Sequence, residues 1–278
     1  MRVRMDDLIR ERQAAGGAVG ALTCYDFSTA LAVVDAAEEL GRGVILLVTP
    51  KTAADRHGPR FLTALRALAD GSAVPVSVQL DHATDLALIL RSVEAGADAV
   101  LADGSALPFE ENAAFTAEAV RRSGVVVEAE LGALAGDEDR ALASLPSGRT
   151  DAALVAPFLS AAGAHVLATS VGNVHGTYAA EPELDWPLID AIHAASGVPL
   201  SLHGASGIPE ADLRRAVGAG LGKININTEL RAAVLDAAAQ QLPDSRAAGD
   251  DVLSLERTWR SAASAFAREA MLRLDSAA

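Results

Sequence analysis

Three histidines stand at the ends of short apolar segments of this chain. His82 follows "VSVQLD", His175 lies in "SVGNVHGTY", and His203 ends "VPLSLH" just before the small residues "GASG". If those segments are strands of one barrel, their carboxyl ends share a rim, where barrel enzymes keep their reacting groups. Three imidazoles on one rim could hold a zinc ion and leave a coordination position open for substrate or water. A single histidine is more commonly just hydrogen-bonded, so it is the set of three that predicts a metal site.

Carboxylates occupy similar positions. Asp81 directly precedes His82, Asp103 ends the fourth apolar segment, and Glu130 lies near the end of the fifth. Asp81 has two interpretations from the residues alone. It could take part in the chemistry beside the metal, or it could cap the helix predicted to begin within "DHATDLALIL". The sequence pattern does not choose between them.

Small residues follow the seventh and eighth apolar segments, in "HGASG" and "NINTEL". Many barrels build their phosphate sites from these two loops. Gly204, Ala205 and Ser206 could present backbone N–H groups to an anion, and Thr228 could add a hydroxyl at a helix N-terminus. An ordinary strand-to-helix turn has the same composition, so that interpretation also stands.

The other three histidines have different settings. His57 falls in a loop, His165 at the start of the sixth apolar segment, and His193 within a predicted helix. None of these places is the carboxyl end of a strand, so we interpret all three as structural or surface residues.

These side chains need a scaffold that gathers them, and the apolar pattern predicts one. Eight short segments rich in Val, Ile and Leu alternate with longer segments in which Ala and Leu recur at helical spacing. Largely apolar strands of this kind are typical of parallel sheets buried on both faces. We predict strands at 19–25, 43–49, 74–80, 97–103, 124–131, 164–172, 198–203 and 222–227. We predict helices at 27–41, 60–71, 84–95, 109–122, 152–162, 185–196, 209–219 and 228–241.

Eight strand–helix units predict an α/β fold, a single (β/α)8 TIM barrel over residues 1–278 with an additional C-terminal helix at about 253–273. A chain of this length is usual for one such barrel. An open doubly wound sheet is the alternative. It normally has fewer strands and a glycine-rich first turn, and "TCYDFST" after the first strand is not G-x-G-x-x-G.

Two segments lie outside the simple repeat. The acidic stretch 132–150 is a long loop after the fifth strand, and loops of this length are usually functional lids or disordered segments. The C-terminal helix carries Trp259, Phe266 and Met271. These side chains could dock on a neighbouring molecule, although plain packing against the barrel is the simpler interpretation.

The composition excludes several classes of function. The formal net charge is −14, which argues against nucleic acid as a partner because phosphate backbones need a basic surface. The single cysteine, Cys24, excludes an intrachain disulfide framework and is typical of a reducing compartment. The N-terminal segment is predicted to be a mixed-charge amphipathic helix rather than a signal peptide, and no apolar run has membrane-spanning length. We therefore expect a cytoplasmic protein with no membrane partner.

Five ordered motifs carry a resemblance to a known family. They are "VPVSVQLDHATD", "DGSALPFEEN", "VEAELGALAGDED", "SVGNVHGTY" and "LHGASGIPEADLRRAVGAGLGKININTEL". Across about Asp6 to Leu235, the chain resembles the class II, zinc-dependent fructose-bisphosphate and tagatose-bisphosphate aldolases. The resemblance implies reversible cleavage of a ketose (bis)phosphate to dihydroxyacetone phosphate and an aldehyde through a zinc-stabilised enediolate.

The resemblance also implies roles for individual residues. His82, His175 and His203 would bind the catalytic Zn2+, and Asp81 would be the acid/base at the aldehyde-derived oxygen. Asp103 and Glu130 match positions that can bind a second or displaced metal, and a monovalent cation is a further option. Glu138, in a mobile loop, matches the residue that moves the proton at the ketose-phosphate carbon. Contacts to dihydroxyacetone phosphate would come from Gly176, Gly204, Ala205, Ser206, Asn225, Ile226, Asn227 and Thr228.

Some family positions differ in this chain. A lysine is common just after "HGTY", where this chain has Ala179 and Ala180, and an aspartate is common where Asn227 stands. The first strand ends in "LTCYD" instead of an asparagine-rich run, and the usual "HLDHG" is "QLDHA" here. The metal and acid positions match the family, whereas part of the substrate-binding set does not.

These differences keep two other functions open. One is an aldolase-family lyase for a different ketose or a keto-acid, and the other is a non-catalytic subunit that binds a sugar phosphate or a partner protein. The resemblance further implies a small phosphorylated ketose or triose as ligand and a homodimer or homotetramer. The chain has only two lysines, Lys51 and Lys223, and metal-assisted cleavage needs neither as a Schiff base.

Overall fold

Eight parallel strands close into a barrel in this computed structural model, which describes residues 3–136, 139–144 and 148–276. Around the barrel the strand order is β1, β10, β9, β7, β5, β4, β3 and β2. The barrel strands are β1 Val19–Thr23, β2 Val44–Val48, β3 Val76–Ala83, β4 Ala99–Ala102, β5 Val126–Leu131, β7 Val166–Thr169, β9 Leu200–Leu202 and β10 Leu221–Ile226. The predicted (β/α)8 barrel is confirmed.

Helices surround the barrel and connect its strands. In chain order they are α1 Met5–Ala14, α2 Phe27–Leu40, α3 Pro50–Ala54, α4 Gly58–Gly71, α5 Leu86–Ala95, α6 Phe109–Ser123, α7 Ala152–Ala162, α8 Trp186–Ala195, α9 Glu210–Gly218, α10 Thr228–Ala247 and α11 Val252–Leu272. Residues of the strands and of the inner helix faces form one apolar layer between barrel and helices, because each parallel strand is buried on both faces.

The amino-terminal end of the barrel is closed by α1. Met5, Leu8 and Ile9 are buried there and cluster with interior residues of the strands. The N-terminal segment is therefore an amphipathic helix, as predicted, and its apolar face plugs the bottom of the barrel. The opposite, carboxyl end stays available for loops and polar side chains.

Several predicted element boundaries differ from those observed. Most strands begin about two residues later than predicted, because residues such as Ala97 still complete the preceding helix-to-strand turn. β3 is longer and continues to Ala83, so Asp81 and His82 are strand residues. α10 continues past residue 241 and includes Pro243, because a proline removes only its own N–H donor and the turns on either side remain helical.

The loop after β5 is tied to the loop after β7. A parallel two-residue ladder joins β6 Ala143–Ser144 to β8 Thr177–Tyr178. This ladder and the short helix α3 were absent from the predicted elements. The β6–β8 ladder matters for the site because β8 follows His175 directly.

The C-terminal helix α11 packs along α2 and α10. Trp259 donates a hydrogen bond from Nε1 to the Thr29 hydroxyl at 2.8 Å, and Met271 is buried against the barrel. These contacts favour the simpler interpretation, in which the apolar side chains of this helix pack within the same chain. None of the helices in the described ranges combines the length and apolar character needed to cross a bilayer.

Candidate functional site

The three histidines predicted as metal ligands meet at the carboxyl end of the barrel. The ring centroid of His82 lies 4.7 Å from that of His175 and 4.8 Å from that of His203. The His175 and His203 centroids are 6.0 Å apart. One nitrogen of each ring lies within 4.8 Å of those of the other two. This spacing suits three ligands of one metal ion.

Local backbone structure aims each ring at this point. His82 has a φ of +41°, one of two positive values outside glycine among the described residues, and such strain is typical of functional sites. His203 follows the last residue of β9. His175 donates its backbone N–H to the Ala135 carbonyl at 2.8 Å, so the loop after β5 holds the candidate ligand that follows β7.

His82 and His203 each have a carboxylate on the side of the ring that faces away from the other histidine. His82 Nδ1 lies 2.9 Å from Asp103 Oδ2, and His203 Nε2 lies 2.9 Å from Glu128 Oε1. With both carboxylates accepting N–H bonds, the remaining nitrogens carry lone pairs. Those nitrogens, His82 Nε2 and His203 Nδ1, face each other at 2.9 Å. In neutral rings two opposed lone pairs repel unless a proton or a metal ion lies between or beside them, so the residues fit a bound zinc ion.

The protonation states fit the same conclusion. Burial, reinforced by the neighbouring histidines, holds the pKa of His175 well below its ordinary value. Burial also lowers the pKa of His203, even though Glu128 opposes that shift. Both rings are therefore neutral at pH 7, which is the form that binds a metal.

A second group of possible ligands adjoins the first. His82, Asp103 and Glu130 offer ligand atoms within 4.8 Å of one another. Burial alone would raise the pKa of Asp103, but the hydrogen bonds that this carboxylate accepts from His82 and Ser105 outweigh burial and hold that pKa well below its usual range. Burial, with Asp103 and Asp81 nearby, raises the pKa of Glu130 to about 8. This is an environment that favours a cation, and the predicted second-metal role of Asp103 and Glu130 stays a prediction.

Asp81 is not a helix cap. Asp85 caps α5 instead, accepting hydrogen bonds from the N–H groups of Ala87 and Leu88. The Asp81 side chain is fully buried beside His82, and its Oδ2 accepts a hydrogen bond from Asn225 Nδ2 at 3.2 Å. Its Oδ1 has no hydrogen-bond partner within the described part of the chain. Of the two interpretations, capping is wrong, and a carboxylate oxygen is left beside the histidines.

A small recess lies next to the histidines, between the loops after β7, β9 and β10. It is lined by seven predicted substrate-binding or metal-binding residues, the last of them at the start of α10: His175, Gly176, Gly204, Ser206, Asn225, Asn227 and Thr228. The N-terminus of a 20-residue helix favours an anion through its free N–H groups and dipole. Arg231 adds a cation beside the recess, with Nη2 3.5 Å from Thr228 Oγ1.

Gly204 is a position where no other residue would fit. Its φ is +59°, and a Cβ there would overlap the carbonyl of Val174. This close approach, together with the bond from the Tyr178 hydroxyl to the Gly204 carbonyl at 3.0 Å, packs the loops after β7 and β9 together. The glycine therefore serves loop packing as much as access for a ligand.

Two predicted substrate residues do not line the recess. The side chains of Ala205 and Ile226 are buried in the apolar layer. The Ala205 N–H donates to the Asn225 carbonyl at 3.3 Å, so that donor is already used within the protein. The expectation that Ala205 offers its N–H to an anion is wrong for this arrangement.

Asp139, in the described part of the loop after β5, contacts residues from other parts of the barrel's carboxyl end. Asp139 accepts a hydrogen bond from the Tyr25 hydroxyl at 3.0 Å and pairs with Lys51 Nζ at 2.6 Å. Arg231 donates to the Asp139 carbonyl. Three elements thus hold Asp139. Its neighbour Glu138, the predicted proton-transfer residue, lies outside the described residues.

The three histidines interpreted as structural lie elsewhere. His57 precedes α4 and accepts a hydrogen bond from Arg56. His165 Nδ1 accepts from the Val127 N–H at 3.0 Å, at the start of β7, and His193 lies in α8 beside Gly220. None of them joins a possible metal-binding group within the described ranges.

Three buried polar residues below the histidines had no predicted role. Glu128 accepts bonds from Gln79 at 2.6 Å and from Lys223 at 2.8 Å, in addition to His203. The sequence does contain a pattern that could have predicted these three residues. Gln79, Glu128 and Lys223 each stand two positions before a site residue on the same strand, so they share its face of the sheet. Asn173, whose Nδ2 donates to the His203 carbonyl at 2.9 Å, has no such signal.

Comparisons with known proteins identify the family of the chain. A family model described as fructose-bisphosphate aldolase class-II matches residues 3–278. D-tagatose-1,6-bisphosphate aldolase subunit GatY of Klebsiella oxytoca is 39% identical over 239 residues, which cover 83% of each chain. The sulfofructosephosphate aldolase of Alkalicoccus urumqiensis is 34% identical over 242 residues, covering 83% of this chain and 82% of that one.

Solved structures show the same fold. The YdjI aldolase from Escherichia coli K12 matches with a TM-score of 0.88 and 30% identity over 99% of this chain and 98% of that one. A fructose-bisphosphate aldolase from Campylobacter jejuni matches with a TM-score of 0.78 and 20% identity over 98% of this chain and 95% of that one. The second likeness concerns the fold alone.

Proposed function

The chain belongs to the class II fructose-bisphosphate aldolase family, and on that premise we propose that it is a zinc-dependent enzyme that cleaves a ketose (bis)phosphate reversibly. The products are dihydroxyacetone phosphate and an aldehyde. Two relatives are named as aldolases of tagatose 1,6-bisphosphate and of sulfofructose phosphate. These names support a phosphorylated ketose as the substrate.

One observation carries the proposal. The nitrogens of His82 and His203 face each other at 2.9 Å, with carboxylates behind both rings. Beside them is the unpartnered oxygen of Asp81. Ligands for a metal and a base for a proton are therefore adjacent, and metal-assisted cleavage of a carbon–carbon bond near a carbonyl uses both.

His82, His175 and His203 would hold the zinc ion. When bound, zinc supplies a Lewis acid that stabilises the negative charge formed beside the ketose carbonyl during cleavage. Asp81 would accept the proton of the substrate hydroxyl as the bond breaks and return it to the aldehyde oxygen in the reverse direction. Asn225 would keep the carboxylate oriented through its 3.2 Å bond to Oδ2.

The recess beside the histidines would bind the substrate phosphate. Its backbone N–H groups, the Ser206 and Thr228 hydroxyls and the N-terminus of α10 are suitable partners for that anion. Glu138 would move the proton at the carbon next to the ketose carbonyl. This role rests on the family resemblance.

The lysines are used for other contacts. Lys223 is buried in the barrel and paired with Glu128, and Lys51 is exposed and paired with Asp139. Neither ammonium group is presented to the recess as a free nucleophile. These contacts support metal-assisted cleavage rather than a Schiff base.

A second candidate is cleavage of a ketose other than fructose or tagatose bisphosphate. Ala179 and Ala180 stand where a lysine is common, and Ala180 lines a cleft of about 330 Å³ that continues outward from the recess. A cleft wall without that cation would select a different charge or length in the substrate. This candidate uses the same metal and the same base.

The proposal is tested with purified protein and a substrate panel. Zinc content would be measured before and after chelation, and cleavage would be assayed on fructose and tagatose bisphosphates, sulfofructose phosphate and unphosphorylated ketoses. We expect close to one zinc per chain, chelator-sensitive cleavage of at least one phosphorylated ketose, and normal zinc content with abolished cleavage in Asp81→Asn. Folded protein that binds no zinc would contradict the proposal, and a zinc-loaded protein that cleaves none of the panel would favour the non-catalytic binding subunit.

A further inference from the structure

Lys223 is a fully buried lysine in the interior of the barrel. Its Nζ lies 2.8 Å from Glu128 Oε2, 2.7 Å from Asn225 Oδ1 and 3.5 Å from Ser201 Oγ. An ammonium group has three protons to donate, and this one has a partner for each. A buried charge is costly to maintain. The contacts of the Lys223 ammonium group therefore indicate which neighbouring residues it could position.

One contact leads to the metal ligands. Glu128 accepts from Lys223 with Oε2, while its Oε1 accepts from His203 Nε2 at 2.9 Å. The Glu128 carboxylate thereby fixes which nitrogen of His203 carries the proton. A carboxylate behind a ligating histidine is a common way of holding the ring in its metal-binding tautomer.

The other contact leads to the acid/base. Asn225 accepts a hydrogen bond from Lys223 at Oδ1, so its Nδ2 must point the opposite way. That nitrogen donates to Asp81 Oδ2 at 3.2 Å. The two ends of an amide are nearly identical in shape, so packing alone would not stop it from turning over. A donor on Oδ1 does, because the turned amide would place two donors face to face.

From these two contacts we propose that Lys223 is a positioning residue that sets the His203 tautomer through Glu128 and the orientation of Asp81 through Asn225. This role rests on the proposed aldolase function, since it serves a bound metal and a working base. Without Lys223, only the hydrogen bond to Asp81 Oδ2 keeps the Asn225 amide in this orientation, and Oδ1 loses its donor.

A purely structural role is the alternative. Lys223 would then only neutralise Glu128, which would otherwise be a buried unpaired charge. The two roles differ when both charges are removed together. The double variant Lys223→Met/Glu128→Gln has no unpaired charge, and its glutamine Oε1 can still accept the His203 proton. Removing both members of a buried pair is commonly tolerated, so this variant tests function in a folded protein.

The experiment measures the unfolding temperature, zinc affinity by chelator competition, and kcat and KM separately. In Lys223→Met, we expect zinc affinity and kcat each to fall by about 10–100-fold, the range for losing a group behind a ligand. In the double variant, zinc affinity should return to near that of Glu128→Gln. Its kcat should remain at least about 10-fold below that of Glu128→Gln with little change in KM, since Asn225 still lacks its donor.

A coupling measurement separates positioning from general disturbance. In the Glu128→Gln background, Lys223→Met, Asn225→Ala and their combination are compared. If Lys223 acts through Asn225, the combination should have the kcat of Asn225→Ala alone, whereas independent effects would multiply. Arg246→Met, at an exposed ion pair on α10, is the control and should match the unmodified protein.

The outcomes distinguish this inference from the proposed function. Full recovery of kcat in the double variant, or multiplying effects of Lys223→Met and Asn225→Ala, would overturn the positioning role while leaving the aldolase proposal intact. An unmodified protein without zinc or cleavage activity would overturn both.

Discussion

At the scale of single residues, His203 has the most constrained environment in the site. Its ring is fully buried, its Nε2 is bonded to Glu128, and its Nδ1 faces His82. The Asn173 amide bonds its backbone carbonyl at 2.9 Å. A residue held at ring Nε2 and at its backbone carbonyl has one ring orientation, so it can serve as a preorganised ligand.

Replacing His203 tests the metal site directly. We expect His203→Ala to lose zinc affinity by more than about 100-fold, because losing only the group behind a ligand already costs about 10–100-fold. Cleavage activity should fall with it. Circular dichroism and the unfolding transition should show a folded barrel, destabilised by about 1–3 kcal/mol because the buried Glu128 carboxylate then lacks one hydrogen-bond donor.

An exposed histidine provides the control. His57 lies outside the site, before α4, so His57→Ala should keep normal zinc content and activity. Normal turnover by His203→Ala would show that the site is wrongly assigned.

At the scale of elements, two loops behave as one unit. The loop after β5 is joined to the loop after β7 through the β6–β8 ladder and through the bond from the His175 N–H to the Ala135 carbonyl. Further along the loop after β5, Asp139 is held by Tyr25, Lys51 and Arg231. The conformation of the loop after β5 therefore affects the position of His175, the proposed metal ligand that lies some 40 residues later in the chain.

Gly136 is the tightest point between these loops. Its φ is +110°, and a Cβ there would overlap the His175 carbonyl. We expect Gly136→Ala to displace His175 and to lower kcat/KM by about 100-fold, since displacements near 1 Å can cost that much. Zinc affinity should fall as well. Steady-state kinetics and chelator competition measure the two effects.

Gly163 provides a matched control for this prediction. It also has a left-handed φ, +65°, but a Cβ at this position would meet no other atom within 4 Å. Gly163→Ala should lose about 1–2 kcal/mol of stability from the backbone strain alone, with normal zinc affinity. Equal zinc affinities in the two variants would contradict the loop coupling.

At the scale of the whole molecule, α11 joins the two ends of the described chain to the barrel. Ala18 N–H donates to the Leu274 carbonyl at 2.8 Å, and Ser276 N–H donates to the Gly16 carbonyl at 2.9 Å. Asp275 pairs with Arg12 and Arg42. Barrel closure and the packing of the last helix are therefore parts of one cooperative structure.

Replacing Met271 tests how much the packing of α11 contributes to the free energy of unfolding. Its side chain is 3% exposed and lies next to Gly20 of β1. We expect Met271→Ala to lower the free energy of unfolding by about 2–5 kcal/mol, the usual cost of truncating a buried methionine. Denaturant unfolding measures this decrease, and zinc affinity should not change because α11 lies outside the barrel.

The adjacent Leu272 provides the comparison for Met271. It is 36% exposed, and Leu272→Ala should cost less than about 0.5 kcal/mol. Similar decreases at the two positions would mean that α11 is not packed as described.

The barrel could be predicted from the sequence because its signal is repeated and local. Eight apolar runs, each with polar residues where it ends, follow from strands that are buried on both faces and bear their chemistry at one rim. His82, His175 and His203 could be selected by the same rule. Boundaries were less accurate, since a residue such as Ala97 can equally finish a turn or begin a strand.

The interpretation of Asp81 shows where local information stops. Asp81 and Asp85 are both reasonable helix caps by composition, and only the observed length of β3 assigns the cap to Asp85. The buried pair of Glu128 and Lys223 is even less predictable from local sequence, because 95 positions separate its members. No local pattern indicates which distant charge a buried carboxylate will meet.

The sequence by itself determined the fold class, the rim and the histidines, because periodic burial and strand ends are properties of short segments. The tertiary structure decided which polar groups touch: the facing ring nitrogens of His82 and His203, the amide that faces Asp81, and the loop that holds His175. The physical reason is that hydrogen bonds depend on fractions of an ångström, and those distances are set only when the barrel closes and all eight strands take their register.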